Sequence, residues 1–123
     1  MSLFERKTFV MHSGELSHYK IECDYITDED WDTLAFIISQ KYKFGSVHGV
    51  PRGGLKLEYA LRKRCSKDSD IVLIVDDVLT TGNSMEEMRS VFSNPPEYIK
   101  GVVIFARAKC PDWIEPVFQM WEN

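Results

Sequence analysis

Residues 71–75, Ile71-Val72-Leu73-Ile74-Val75, are apolar at every position. A strand with one face in water alternates apolar and polar residues, so an unbroken run must be covered on both faces. That excludes a hairpin sheet open to solvent and asks for helices above and below. Residues 98–106, "YIKGVVIFA", follow the same pattern and predict a second buried strand. Residues 44–50, "FGSVHGV", predict a short strand ending in the loop Pro51-Arg52-Gly53-Gly54.

The segments between carry helical signals. In "TDEDWDTLAFIISQKY", from residue 27, Thr27 is placed as an N-cap and three acids follow in the first turn, at the positive end of the helix dipole. Trp31, Leu34, Phe36, Ile37 and Ile38 supply its apolar side. A second helix is predicted from Leu55, with Leu55, Tyr59 and Leu61 or Arg62 on one side. A third spans 84–93 and is stopped by Asn94-Pro95-Pro96. Residues 8–23 predict two extended pieces broken at Ser13-Gly14, and the tail from Asp112 an extended edge strand. Strands alternating with helices imply an α/β fold: a parallel sheet flanked by helices, Rossmann-type, with a small N-terminal extended segment as a hood. The chain of 123 residues suits a single domain over 1–123.

In such sheets ligands lie beyond the carboxyl ends of the strands. Three strand ends carry informative residues there: 50–54, 76–84 and 107–109. The middle one is the richest. Asp76 and Asp77 are followed by Val78-Leu79, and then by Thr80-Thr81-Gly82-Asn83-Ser84 running into a helix start, with Ser84 and Glu87 spaced as a capping box. A helix start offers unpaired amides and partial positive charge, small residues let an anion approach, and hydroxyls add donors. Two carboxylates beside it repel a bare phosphate but accept hydrogen bonds from sugar hydroxyls. Phosphate plus diol describes a ribose 5-phosphate. Simple capping of a turn and a helix explains one acid and one hydroxyl, not the whole run. At 50–54, Gly53 and Gly54 let amides approach a second anion, with Arg52 adding charge.

The stretch from Val75 to Ser84 resembles the phosphoribosyl pyrophosphate (PRPP) motif of type I phosphoribosyltransferases: apolar residues, two acids, two variable residues, Thr-Thr-Gly, then a hydroxyl residue two places on. Three further segments, "FVMHSGELSHYKIECD", "SVHGVPRGGLKLEYAL" and "VVIFARAK", are similar to parts of orotate phosphoribosyltransferases. The resemblance implies a phosphoribosyltransferase-like fold and a phosphoribosyl transfer to a nucleobase-like acceptor with release of pyrophosphate. It assigns Asp76 and Asp77 to the ribose hydroxyls and catalysis, Thr80, Thr81, Gly82, Asn83 and Ser84 to the 5-phosphate, and Pro51, Arg52, Gly53 and Gly54 to the pyrophosphate. Arg107 would face the base. Mg²⁺ would arrive with PRPP, with no direct ligation by side chains. Members of the family commonly pair, which implies a homodimer.

The chain also departs from that pattern. The family has a strand and a long mobile loop with basic catalytic residues between the second helix and the acid-pair strand; here "ALRKRCSKDSD" leads almost directly to Ile71. Arg62, Lys63, Arg64 and Lys67 either substitute for that loop or form a solvated helix end. Glu15-Leu16 stands where basic residues would meet an anionic base. Trp113, Phe118 and Trp121 either stack on a ring or belong to core or dimer contacts. Two readings follow: a small phosphoribosyltransferase, or a non-catalytic regulatory module that binds PRPP or a nucleotide. A phospho-aspartate receiver also pairs acids after a strand, but near its first strand.

Composition narrows the rest. A formal net charge of −4 argues against a general nucleic-acid partner. No apolar run approaches the ~20 residues of a membrane span, and "MSLFERKTFV" is charged where a signal peptide is apolar. A cytoplasmic protein is expected. Cys23, Cys65 and Cys110 form no C-x-x-C pair, and with His12, His18 and His48 they offer no zinc-site spacing.

Overall fold

The apolar run at 71–75 becomes the first half of a central strand in the computed structural model, which describes residues 2–11 and 16–120. In chain order the elements are β1 (Phe4–Val10), β2 (Leu16–Ile21), α1 (Asp28–Lys41), β3 (Ser46–Gly49), α2 (Leu55–Arg62), β4 (Val72–Leu79), α3 (Asn83–Ser90), β5 (Ile99–Ala106) and β6 (Ile114–Gln119), with single 3-10 turns at Cys23–Tyr25 and Pro96–Tyr98. Strands β3 to β6 form a parallel sheet in sequential order, and β1 pairs antiparallel with β2 as a separate hairpin. The predicted break at Ser13-Gly14 lies outside the described residues.

Both faces of the sheet are covered, as the unbroken apolar run requires. Leu73, Val75, Val102 and Ile104 pack with Trp31, Ala35 and Ile38 of α1 and Leu57, Ala60 and Leu61 of α2. Val72, Ile74, Ile99 and Val103 pack on the other side around Met85 of α3. Leu73, Ile74 and Val75 have no exposed surface. Burying each contributes about 1.5–3 kcal/mol, which fixes the strand's position regardless of local propensity.

Local signals held at the start of α1 and slipped at the start of α3 and where two helical faces competed. Thr27 caps α1, its hydroxyl accepting from the Asp30 amide at 3.1 Å. On α2 the inward side is Leu57, Ala60 and Leu61; Leu55 and Tyr59 are 43% and 75% exposed. Likewise Phe36 and Ile37 of α1 face outward. The predicted capping box does not form. Gly82, with φ +85°, is the residue before α3, no side chain caps that helix, and Ser84 lies inside its first turn.

Strand β3 has one neighbour among the described residues. Its Val50 end donates inward to the Val75 carbonyl at 2.8 Å, so by alternation the Gly49 amide points outward. Glu58 accepts that amide at 2.8 Å, and Arg62 holds Glu58 at 2.7 Å. Burial opposes ionisation of Glu58, yet the Gly49 amide and Arg62 outweigh it and keep the carboxyl below its usual range. The outward amide at the end of this edge strand is thereby satisfied by a side chain of the adjoining helix.

Candidate functional site

Strand β4 does not stop at Val75 but continues through both acids to Leu79, with Asp76 opposite Val103 and Leu79 opposite Ala106. The carboxylates therefore sit on strand backbone, more rigidly than on a loop. Asp76 is 8% exposed and Asp77 is half-buried. The Asp77 amide donates to Asp76 Oδ1 at 2.8 Å, and the Val78 amide to Asp77 Oδ1 at 2.7 Å. Burial first, then the hydrogen bond and charge of Asp77, push the Asp76 carboxyl up to about 8, against the opposing pull of the Asp77 amide. Asp76 thus holds its proton more tightly than an ordinary carboxyl does.

That proton has a consequence for stability. An acid whose pKa is raised on folding contributes fully below its unfolded value near 3.8, and the contribution is lost as pH rises towards 8. Asp76→Asn, which carries no titration, is expected to gain on the parent protein by about 1–3 kcal/mol between pH 5 and pH 8. Urea melts of both proteins at the two pH values measure the difference, and a constant gap would contradict the burial of Asp76.

Residues Thr80, Thr81, Gly82, Asn83 and Ser84 form the turn from β4 into α3. Gly82 takes the left-handed conformation that L side chains rarely adopt. The Thr81 hydroxyl accepts from the Asn83 amide at 3.3 Å, and the Gly82 carbonyl from the Glu86 amide at 3.0 Å. Apart from the Asn83 amide held by Thr81, the amides at the start of α3 have no side-chain cap and lack intrahelical acceptors. A cavity of about 40 Å³ opens there, lined among others by Asp76, Thr80, Thr81, Gly82 and Ser84. The turn into α3 and the buried acid thus share one cavity.

The loop Pro51-Arg52-Gly53-Gly54 folds back over the same strand end. Gly54 donates to the Val50 carbonyl at 2.8 Å, and a Cβ on Gly54 would stand 2.5 Å from the Val75 carbonyl oxygen. A Cβ on Gly53 would collide with the carboxylate of Asp77. Two motifs far apart in sequence therefore meet at Asp77. The Pro51–Arg52 peptide is cis, and Arg52 is exposed.

Arg107 ends β5 on this edge, its amide donating to the Leu79 carbonyl at 2.8 Å. Its guanidinium turns to the hairpin, donating to the Ser17 hydroxyl and to the Tyr19 carbonyl at 2.8 Å, and lies 3.9 Å from the centre of the Tyr19 ring. Sequence reasoning missed Cys23. Its thiol lies against Asp77 and is pushed up to about 12 by burial and then by that carboxylate. A lone cysteine far from the acid pair in sequence carries no signal of this.

The basic run stands elsewhere. Helix α2 leads away from the glycine loop, and the segment after it is tied to the start of β3 by the bond from the Ser66 amide to the Phe44 carbonyl at 2.8 Å. Arg62 pairs with Glu58, Lys63 with Asp32, and Arg64 lies over Phe36. Arg62 is thus held by Glu58 beside Gly49, while Lys63 and Arg64 are engaged with α1, and none of the three is bonded to the acid pair. Trp113 donates to Glu86 at 2.6 Å beneath Arg89, and Phe118 stacks on Phe105. Trp121 lies outside the described residues. Among the described residues, no group of three or more His, Cys, Asp or Glu side chains forms a metal cage. No helix among them is long and apolar enough to cross a membrane.

The chain has the α/β fold of the phosphoribosyltransferases, with a short N-terminal hairpin added. It is similar to the crystal structure of orotate phosphoribosyltransferase from Aeropyrum pernix, at 24% identity and a TM-score of 0.66 over 85% of this chain and 76% of that one. It also matches UMP synthase from Leishmania donovani, at 18% identity and a TM-score of 0.70, covering 96% of this chain but 34% of that larger protein. A third match is Mycobacterium tuberculosis orotate phosphoribosyltransferase, at 14% identity and a TM-score of 0.61 over 95% of this chain and 89% of that one. No protein-family model and no curated protein matches the sequence.

Proposed function

We propose that this protein binds PRPP and transfers its phosphoribosyl group to a nucleobase-like acceptor with release of pyrophosphate. The observation that carries the reading is the convergence at Asp77: the glycine loop, the acid pair and the uncapped start of α3 surround one strand end. Asp76 and Asp77 accept the ribose hydroxyls. The Thr80–Ser84 turn takes the 5-phosphate, and Pro51, Arg52, Gly53 and Gly54 take the pyrophosphate. Holding three parts of one donor orients C1 towards the acceptor, and the carboxylates stabilise positive charge growing on the ring. With two acids and, among the described residues, no cage of ligating side chains, a Mg²⁺ would be carried on the pyrophosphate without direct side-chain ligation, and there it would supply neutralisation of the leaving group. The protein is proposed to work as a cytoplasmic homodimer.

A second reading, a regulatory module that binds PRPP or a nucleotide without turnover, is favoured by one observation. Residues 63–71 connect α2 to β4 with neither a strand nor a long loop to cover the leaving group. Calorimetry with PRPP and Mg²⁺ tests what the two readings share, and absence of binding would remove both. Pyrophosphate release over a panel of bases separates them.

A further inference from the structure

On the acceptor side, the cation at the end of β5 is already committed to the protein itself. Arg107 donates to the Ser17 hydroxyl and the Tyr19 carbonyl, with the Tyr19 ring at 3.9 Å and the Phe9 ring at 5.8 Å from its guanidinium carbon. The clamp begins one hydrogen bond from the strand end of the acid pair, through the Leu79 carbonyl. Beside it, a cavity of about 440 Å³ opens between the hairpin and the end of β6. Its walls are Phe4, Tyr19 and Met120, with Glu5 and Arg6 contributing one charge of each sign. Lys20 of the same hairpin is ion-paired with Glu22. Asp24, Asp76 and Asp77 all act on the Cys23 thiol, so this flank of the site is acidic.

A carboxylate brought out of water here would meet Arg6 only with the like charge of Glu5 in the same wall, and without a net cation its burial costs several kcal/mol. Aromatic and thioether walls suit a flat uncharged ring. Resting on the PRPP reading above, we propose that the acceptor is an uncharged nucleobase, and that Arg107 is a positioning residue fixing the hairpin over it rather than a counter-ion for an acceptor carboxylate. This sets the chain apart from its orotate-named structural neighbours in the charge of the ring it accepts.

Calorimetry with three probes tests this: ribose 5-phosphate, uridine 5′-monophosphate and orotidine 5′-monophosphate, the last two differing by a single carboxylate. Ribose 5-phosphate is expected to bind, and the uridine nucleotide to bind about tenfold or more tightly than the orotidine nucleotide. In Arg107→Leu both nucleotides should weaken together, with faster amide exchange in β1 and β2, and Arg107→Lys should rescue neither, since it keeps the charge but not the planar fork. Equal or tighter binding of the orotidine nucleotide would overturn the inference, as would its selective loss in Arg107→Leu with recovery in Arg107→Lys. Failure of ribose 5-phosphate itself would remove the PRPP reading, and this inference with it.

Discussion

Replacing Asp76 and Asp77 together by asparagine is expected to lower affinity for ribose 5-phosphate by about a hundredfold or more, while the protein stays folded. Each carboxylate that accepts a sugar hydroxyl contributes roughly 1.5–3 kcal/mol relative to water, and the amides that replace them are weaker acceptors. Stability should not fall. Asp76 is buried with a raised pKa, so removing its ionisation relieves the folded state at neutral pH and above. Inorganic phosphate gives the internal control. It carries no diol, and removing negative charge beside the Thr80–Ser84 turn should leave its affinity unchanged or raised. Calorimetry with both ligands on parent and double variant checks the prediction. Undiminished binding of ribose 5-phosphate would mean that the sugar lies elsewhere.

The second large effect is on stability. Gly54→Ala is expected to cost about 3 kcal/mol and lower the melting temperature by about 10 °C. The atoms a Cβ would meet are backbone atoms of Val75 and Val50, at 2.5–2.9 Å, and neither strand can yield without losing its pairing. Gly53→Ala makes an instructive contrast. Its new methyl meets the Asp77 side chain, which can turn aside, so affinity for pyrophosphate-bearing ligands should drop while the melting temperature moves little. Calorimetric scans and PRPP titrations on the two variants separate these outcomes. Equal stability of Gly54→Ala and the parent would mean that the glycine loop is not seated against β4.

These expectations show which parts of the molecule the sequence disclosed. The strand core was legible because Ile71 to Val75 and Val102 to Ala106 allow no face for water, and the strand end was legible because acids, hydroxyls and glycine follow one another there. The reach of β4 through Asp76 and Asp77 was not legible. Pairing with β5 carries the strand past the last residue that its own side chains would place in one. The faces of α1 and α2 were mixed because Phe36, Ile37, Leu55 and Tyr59 are apolar yet look outward, and only the packing of the other side shows it. The partners of Arg107 and the thiol beside Asp77 depend on a hairpin docking across the sheet edge, a long-range contact that no local pattern encodes.

The carboxylate of Glu58 has one more effect. A bare sheet margin is a template on which other chains can stack into fibres, and β3 is the flank at which the glycine loop begins. Because the outward Gly49 amide is held by a tethered acid, that end of the margin, beside the loop Pro51-Arg52-Gly53-Gly54, offers an incoming strand one donor fewer.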